Sequence, residues 1–345
     1  MRDGRGVAVI ALLFGTYNSR HAANSLLRAD LRAAGFEVRE CHEALWEETR
    51  DKDAPYFAPL GLARLALRYA ASAARLVRRF PSHARGASLV VAGFNGQLDV
   101  LLARALAGRR RILFAPLVTV SETLIDDRGS YRDGSPAGRL LRALDRRTLG
   151  AADVVLIDTA AHRDYLVARL GVPQSRVVVQ YLGAEPAFCP AAAAETAHAP
   201  GDGPLRVLGY SQYLPLHGSE TIAQAARLLP DDGRVALELV GTGPERAASD
   251  ALLRGLPHVR LADWVPYHEL PARIAAADVV LGVFGTSAKA RMVIPNKVYQ
   301  AAQVGRAIVT ADTPAIREVF AHGESAWLVA PEPRALADAL LLLAR

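Results

Sequence analysis

The chain has 345 residues, 51% of them hydrophobic and 22% charged, with a formal net charge of +6. That length suits two ordinary domains, and that composition excludes a disordered or fibrous chain. Its two cysteines, Cys41 and Cys189, exclude a disulfide framework and a cysteine zinc site, so a reducing, cytoplasmic setting is expected.

The longest apolar run, residues 7–14, is too short to span a bilayer, and polar sequence follows it, so no signal peptide is expected. Charge is unevenly placed: residues 1–190 carry 27 Lys+Arg against 19 Asp+Glu, and residues 191–345 carry 14 against 16. A basic front half points to an anionic acceptor or an anionic membrane surface. Nucleic acid is not expected as a partner, because aromatics are few and no recognition motif is present.

Residues 7–14 read as a buried strand. Loop 15–18 follows, then a helix from about Arg20 to Ala34, stopped by Gly35, and a strand at 36–40. Gly15 stands where a phosphate-binding loop would leave the first strand. No G-x-G-x-x-G is present, which argues against dinucleotide redox chemistry.

Residues 62–80 predict a long helix. Leu62, Leu65, Tyr69, Leu76 and Phe80 share an apolar stripe, and Arg64, Arg68, Arg75, Arg78 and Arg79 supply charge. Such a helix either lies on a membrane surface or turns a solvated arginine face outward from a domain. A strand at 89–94 leads to a helix through Leu106, a basic turn at 109–111 expected to be solvated, and a strand at 112–115.

T-V-S-E-T-L-I-D-D, residues 119–127, comes next. Polar residues after a strand end line a site, or Thr119 or Ser121 simply caps a helix. After a strand at 154–157, His162 reads as a helix-surface residue. A strand at 177–179 leads to L-G-A-E-P-A-F-C-P, residues 182–190. The Ala- and Pro-rich stretch 191–204 reads as a linker. The predicted domains are therefore 1–190 and 205–345.

The second domain restarts with a strand at 205–210, the loop 211–218 and a helix at 219–229. His217 and Gly218, at the helix start, offer N–H groups and a titratable donor, or His217 only caps the loop. A strand at 236–240 precedes G-T-G-P-E, residues 241–245. A strand at 259–261 precedes D-W-V-P, with Val265 at its centre.

Residues 278–312 read strand, loop, helix, strand, the unit of a parallel sheet. Pro295 suits a first helical turn and Asn296 can cap it, while Gly305 stops the helix. Of 41 basic residues only Lys52, Lys289 and Lys297 are lysines. Two of the three therefore share one loop, where a compact ammonium suits a phosphate; the alternative is chance clustering in an exposed loop.

The segment I-P-N-K-V-Y-Q-A-A-Q-V-G-R-A-I-V, residues 294–309, resembles the donor-binding segment of GT-B glycosyltransferases of the retaining group 1, or family 4, type. V-G-T-G-P-E, the segment about Val265, H-E-L-P-A-R-I-A-A-A-D and P-A-I-R-E-V also resemble family segments, and L-G-A-E-P-A-F-C-P resembles the one that enters the linker. The resemblance implies an α/β, GT-B architecture: two Rossmann-like domains with an interdomain cleft, the first binding acceptor and the second a nucleotide sugar.

It implies donor-binding roles for Gly15, Thr16, Ser211, Gly218, Gly241, Gly243, Val265, Lys289, Pro295, Asn296 and Gln300, and catalytic roles for Glu122, His217 and Lys297. It also implies a hexosyltransferase-like activity with retention, a glycan or lipid-linked acceptor, and no metal or other cofactor, while the basic front half and the helix at 62–80 point to peripheral contact with the inner membrane face. The chain departs from the pattern at Ser211 and His217, where the family carries cations. It departs again at Met292 and Gln300, where the family carries glutamates, and Glu185 replaces an aspartate.

Two other classes stay open on the residues alone. A sugar-nucleotide epimerase would use the same crevice with acid and base carboxylates about the sugar. A catalytically degenerate protein would only bind sugar nucleotides or a partner.

Overall fold

The computed structural model describes residues 9–46, 59–189 and 203–345. Lys52, the first two residues of the predicted opening strand and residues 191–202 of the predicted linker lie outside them. The chain forms two compact units, taken here over their described residues. The first gathers Met1–Ser121, Arg132–Asp158 and Arg163–Tyr181, and the second Glu122–Tyr131, Thr159–His162 and Leu182–Arg345. No single cut near residue 190 separates them, because two short stretches of the first half pack with the second.

In the first unit, strands β1 (Ile10–Gly15), β2 (Glu37–His42), β3 (Ala87–Ala92), β4 (Arg111–Phe114), β5 (Val154–Ile157) and β6 (Val177–Val179) form a parallel sheet in the order β2-β1-β3-β4-β5-β6. β1 is buried along its whole length, which is why I-A-L-L-F-G reads as an unbroken apolar run. Leu12, Phe14, Val90 and Ile112 build the core on one sheet face, and Ala11, Leu13 and Val91 build it on the other.

Helices α1 (Ala22–Ala33), α2 (Pro59–His83), α3 (Gln97–Leu106) and α4 (Pro136–Ala151) connect these strands. A fifth, α5 (Ala160–Leu170), starts with residues grouped in the second unit. α2 buries Ser72, Leu76 and Phe80, and the Phe80 ring meets Phe14 edge-on at 5.5 Å. Leu62, expected on that stripe, is 52% exposed.

A second apolar row runs along the solvent side of α2. Ala63, Leu67, Ala70, Ala74 and Val77, spaced by three and four residues, are all exposed. Of the basic turn expected to be solvated, Arg109 and Arg111 are exposed, and Arg110 is tied down instead. Arg110 donates to the Ala84, Ala87 and Ala107 carbonyls and lies over the Phe80 ring. Helix α4 escaped the sequence reading although Ser135-Pro136 is a proper start: Ser135 Oγ accepts the Gly138 N–H.

The second unit carries β7 (Leu205–Tyr210), β8 (Val235–Val240), β9 (Val259–Ala262), β10 (Val279–Leu281), β11 (Ala307–Ala311) and β12 (Trp327–Val329), all parallel, in the order β12-β11-β10-β7-β8-β9. Its helices are α6 (Ser219–Leu228), α7 (Arg246–Leu253), α8 (Leu270–Ala275), α9 (Ala288–Met292), α10 (Asn296–Val304) and α11 (Pro333–Leu343). Val207, Leu237 and Val309 pack with α6 and α11 on one face, and Leu208, Val280 and Ile308 with α8 and α10 on the other. Both units are thus the doubly wound α/β sheets that the alternation of strand and helix patterns predicts.

Candidate functional site

In the second sheet the strand order reverses between β10 and β7. Ligands of such sheets sit beyond the carboxyl ends of the strands at this switch point. A crevice opens there, lined by Tyr210, Ser211, Tyr213, Ser219, Gly282 and Lys297 over an apolar floor of Ile222, Leu239 and Leu281.

The loops around it are locked together by backbone. Phe284 N–H donates to His217 O at 3.1 Å, and Gly285 N–H donates to Leu216 O at 3.2 Å. Gly218 has φ 63°, and a methyl there would sit 2.2 Å from the Phe284 carbonyl carbon. Methyls at Gly241 and Gly243 would meet the Ser211 and Gln212 carbonyl oxygens at 1.8 and 1.7 Å. Sequence reasoning gave these glycines to a ligand; in the structure loop-on-loop packing requires them. Ser211 Oγ accepts the Tyr213 N–H, and Val265 sits in the core.

One cation lines this crevice. Lys297, in the first turn of α10, is buried, and its Nζ donates to Tyr210 O at 2.5 Å and lies 5.4 Å from the Tyr210 ring centre. Burial lowers its pKa to about 7, because a desolvated ammonium is costly. His217 feels burial first, then the charges of Lys297 and Lys289, and its pKa falls well below the ordinary histidine value. Its Nδ1 accepts the Leu214 N–H at 3.1 Å, so the neutral ring carries its proton on Nε2. The structure therefore brings His217, Lys289 and Lys297 together. Pro295, not Asn296, occupies the cap position of α10, with no side-chain cap bond, because Asn296 is already helical.

The other members are placed differently. Glu122 opens a π-helical turn, Glu122–Asp127, a rare geometry that recurs at functional sites. It is fully buried, 2.9 Å from His162 Nε2. His162 is fully buried as well, which corrects its reading as a helix-surface residue. Lys289 Nζ donates to Thr123 Oγ1 at 2.9 Å, and Ser287 Oγ donates to Asp127 Oδ1 at 2.7 Å. Thr123, Asp127 and His162 were missed. The acidic T-V-S-E-T-L-I-D-D run signalled only Thr123 and Asp127, because nothing local reports their pairing with residues 166 and 160 positions away, or that of His162 with Glu122, 40 positions away.

Gln300 is buried within a network. Tyr210 Oη donates to its Oε1 at 2.8 Å, and its Nε2 donates to Tyr267 Oη at 2.7 Å and to Glu185 Oε2 at 3.2 Å. Its amide is thus engaged inside the protein, where the sequence reading gave it to the donor.

Gly15 and Thr16 belong to the first unit. The Thr16 N–H donates to Asp99 Oδ2 at 2.7 Å and its hydroxyl to the same oxygen at 3.1 Å. A methyl at Gly15 would lie 2.4 Å from Asp99 Oδ2. That loop end holds a carboxylate, so Thr16 offers its N–H to no phosphate.

Comparison with known proteins adds to this geometry. The model of the glycosyl transferase 4-like domain matches residues 3–183, and that of glycosyl transferases group 1 matches residues 207–345. The chain is 27% identical over 206 residues to the amylovoran biosynthesis glycosyltransferase AmsK of Erwinia amylovora. That match covers 58% of this chain and 49% of AmsK, about half the curated relative's length. A sucrose-phosphate synthase from Thermosynechococcus elongatus superposes with a TM-score of 0.69 at 18% identity, over 97% of this chain and 89% of that one. Anabaena HepE, solved with UDP and glucose, superposes with a TM-score of 0.62 at 16% identity over the same shares. At these identities the superpositions speak for the fold alone.

Proposed function

The chain belongs to the group 1, or family 4, glycosyltransferases and has their GT-B fold, and from that premise we propose that it moves a sugar from a nucleoside-diphosphate sugar to an acceptor hydroxyl in glycan synthesis. The observation that carries this is Lys297. Its ammonium is buried at the end of β7, in the switch-point crevice, and its charge and that of Lys289 both act on His217. HepE with UDP and glucose supports a uridine donor, and AmsK, named for amylovoran biosynthesis, supports a place in glycan synthesis.

In the transfer the bond between sugar C1 and the diphosphate oxygen breaks and a bond to the acceptor oxygen forms. Negative charge collects on the leaving diphosphate while the sugar becomes cationic. Lys297, Lys289, the His217 Nε2–H and the first-turn N–H groups of α6 neutralise that charge. The crevice lining contains no carboxylate, which supports transfer without a covalent sugar–enzyme intermediate. The leaving phosphate then takes the acceptor proton and C1 keeps its configuration. This chemistry asks for no metal. Glu122, expected to be catalytic, holds His162 in this reading and touches no substrate.

The acceptor is lipid-linked in this proposal, and α2 brings the enzyme to it. The exposed row Ala63, Leu67, Ala70, Ala74 and Val77 is accompanied by arginines, and the helix carries no Asp or Glu. Among the described residues no helix is long and apolar enough to cross a membrane, so contact would be peripheral. Flotation with anionic and neutral vesicles tests it. Salt-sensitive binding to anionic vesicles, lost in Leu67→Glu, is expected; equal flotation on both would remove the idea.

The activity itself is tested with UDP-, GDP- and dTDP-sugars and polyprenyl-phosphate-linked acceptors. Free nucleotide should appear only with one donor and an acceptor present, unchanged by a chelator, with the product's anomeric coupling matching the donor's. Tight nucleotide binding without turnover would favour a catalytically degenerate protein instead.

A further inference from the structure

Among the described residues, a polar network around the buried Gln300 is a cluster of the second unit that the transfer step does not use. Its members come from four places in the chain: Glu185, Tyr210 at the end of β7, Tyr267, and Gln300 on α10. Tyr267 Oη donates to Glu185 Oε1 at 2.5 Å, and its ring packs edge-on against Phe188 at 5.7 Å. Glu185 and Gln300 are both buried.

Donor and acceptor counting fixes the arrangement. The Glu185 oxygens can only accept, and Tyr267 spends its single proton on one of them. Gln300 must therefore turn its NH2 toward that pair, giving one hydrogen to Tyr267 Oη and one to Glu185 Oε2. Its Oε1 is then left facing the other way, where it accepts from Tyr210 Oη. Tyr210 is the residue whose carbonyl receives the Lys297 ammonium and whose ring lies beside it. Lys297 and Gln300 stand one helical turn apart on α10, so both ends of the chain of contacts close on one helix.

We propose that Glu185 is a positioning residue for the donor lysine: its carboxylate orients the Gln300 amide, and through Tyr210 that amide sets where the Lys297 ammonium stands. The inference rests on the reading of the Lys297 crevice as the diphosphate site. It makes positions 185 and 300 an interdependent pair that works with one carboxylate and one amide. Two carboxylates would face each other across 3.2 Å with too few hydrogens between them. Two amides would leave the Tyr267 and Tyr210 hydroxyls without a fixed direction.

The test is a double-mutant cycle on the full chain: Gln300→Glu, Glu185→Gln, and the transposed pair carrying both. UDP affinity is read by calorimetry. The Lys297 Cε–Hε signal is read by NMR, which is tractable because the chain has only three lysines. Each single change should weaken UDP about ten-fold, the scale of one charge-assisted hydrogen bond, and should shift the Lys297 signal. The transposed pair should return affinity to within about three-fold and bring the signal back.

A Lys297 signal that stays put in both single variants overturns the proposal, whatever the affinities do. A signal that moves in the singles and does not return in the transposed pair also overturns it. A parent that binds none of UDP, GDP or dTDP removes the donor reading alone, and the lysine signal still decides this one.

Discussion

The two sheets treat their switch points in opposite ways. In the first unit the turn after β1 closes on a buried carboxylate, Asp99, which takes the Thr16 N–H and hydroxyl and the Tyr69 hydroxyl. In the second unit the turn after β7 closes on a buried ammonium, Lys297, with a second lysine and a neutral histidine nearby. One topology thus gives an anion-repelling end and an anion-attracting end. Strand order places a crevice, and the side chains planted there decide its ligand.

The first way to sharpen the contrast is through pH. Burial raises the Asp99 pKa from 3.8 to about 6. A raised carboxyl favours the folded state below the unfolded pKa, and that benefit is lost as pH rises through the folded one. Folding stability of the parent relative to Asp99→Asn should therefore fall by about 2 kcal/mol between pH 4 and pH 6. Denaturant titrations at those two pH values measure it, and parallel curves would deny the buried charge.

Lys297→Ala is expected to weaken UDP binding by roughly 1.5–3 kcal/mol, while Asp99→Asn leaves it unchanged. Calorimetry on both variants breaks the comparison if the first is silent or the second is not. Gly218→Ala should cost about 1–3 kcal/mol of stability, since its Cβ would enter the Phe284 backbone; thermal unfolding reads that.

Much of this was legible beforehand. The strand and helix alternation, the Gly35 and Gly305 stops and the lysine loop are local patterns, set by periodicity, backbone freedom and residue choice. The fate of Gly15, Gln300 and His162 was not legible, because each depends on a partner distant in sequence: Asp99, Glu185 and Glu122. A single chain shows a glycine or a glutamine, and it does not show which carboxylate will meet it.

Two smaller effects complete the comparison. Because burial lowers the Lys297 pKa to about 7, UDP affinity should be flat near pH 6 and decline as pH rises through that value. The first unit contributes no such dependence. Lys289→Ala should cost about 1 kcal/mol in UDP affinity, less than Lys297→Ala, since its ammonium is already held by Thr123.

The interleaving of the chain limits how the protein can be made in pieces. Glu318 accepts the N–H groups of Ala160 and Ala161 at 2.7 and 2.8 Å, the Thr159 hydroxyl donates to Met292 O, and Lys289 holds Thr123. A ribosome finishes residues 122–131 and 159–162 long before their partners emerge, so these stretches wait for the last third of the chain. A fragment begun after the linker lacks them outright, leaving the half-buried Glu318 and the buried Lys289 without these mates. Expression of the second half alone should give a protein that aggregates or binds nucleotide weakly. Co-expression with the first half should restore it, much as two parts of a split reporter become whole only together.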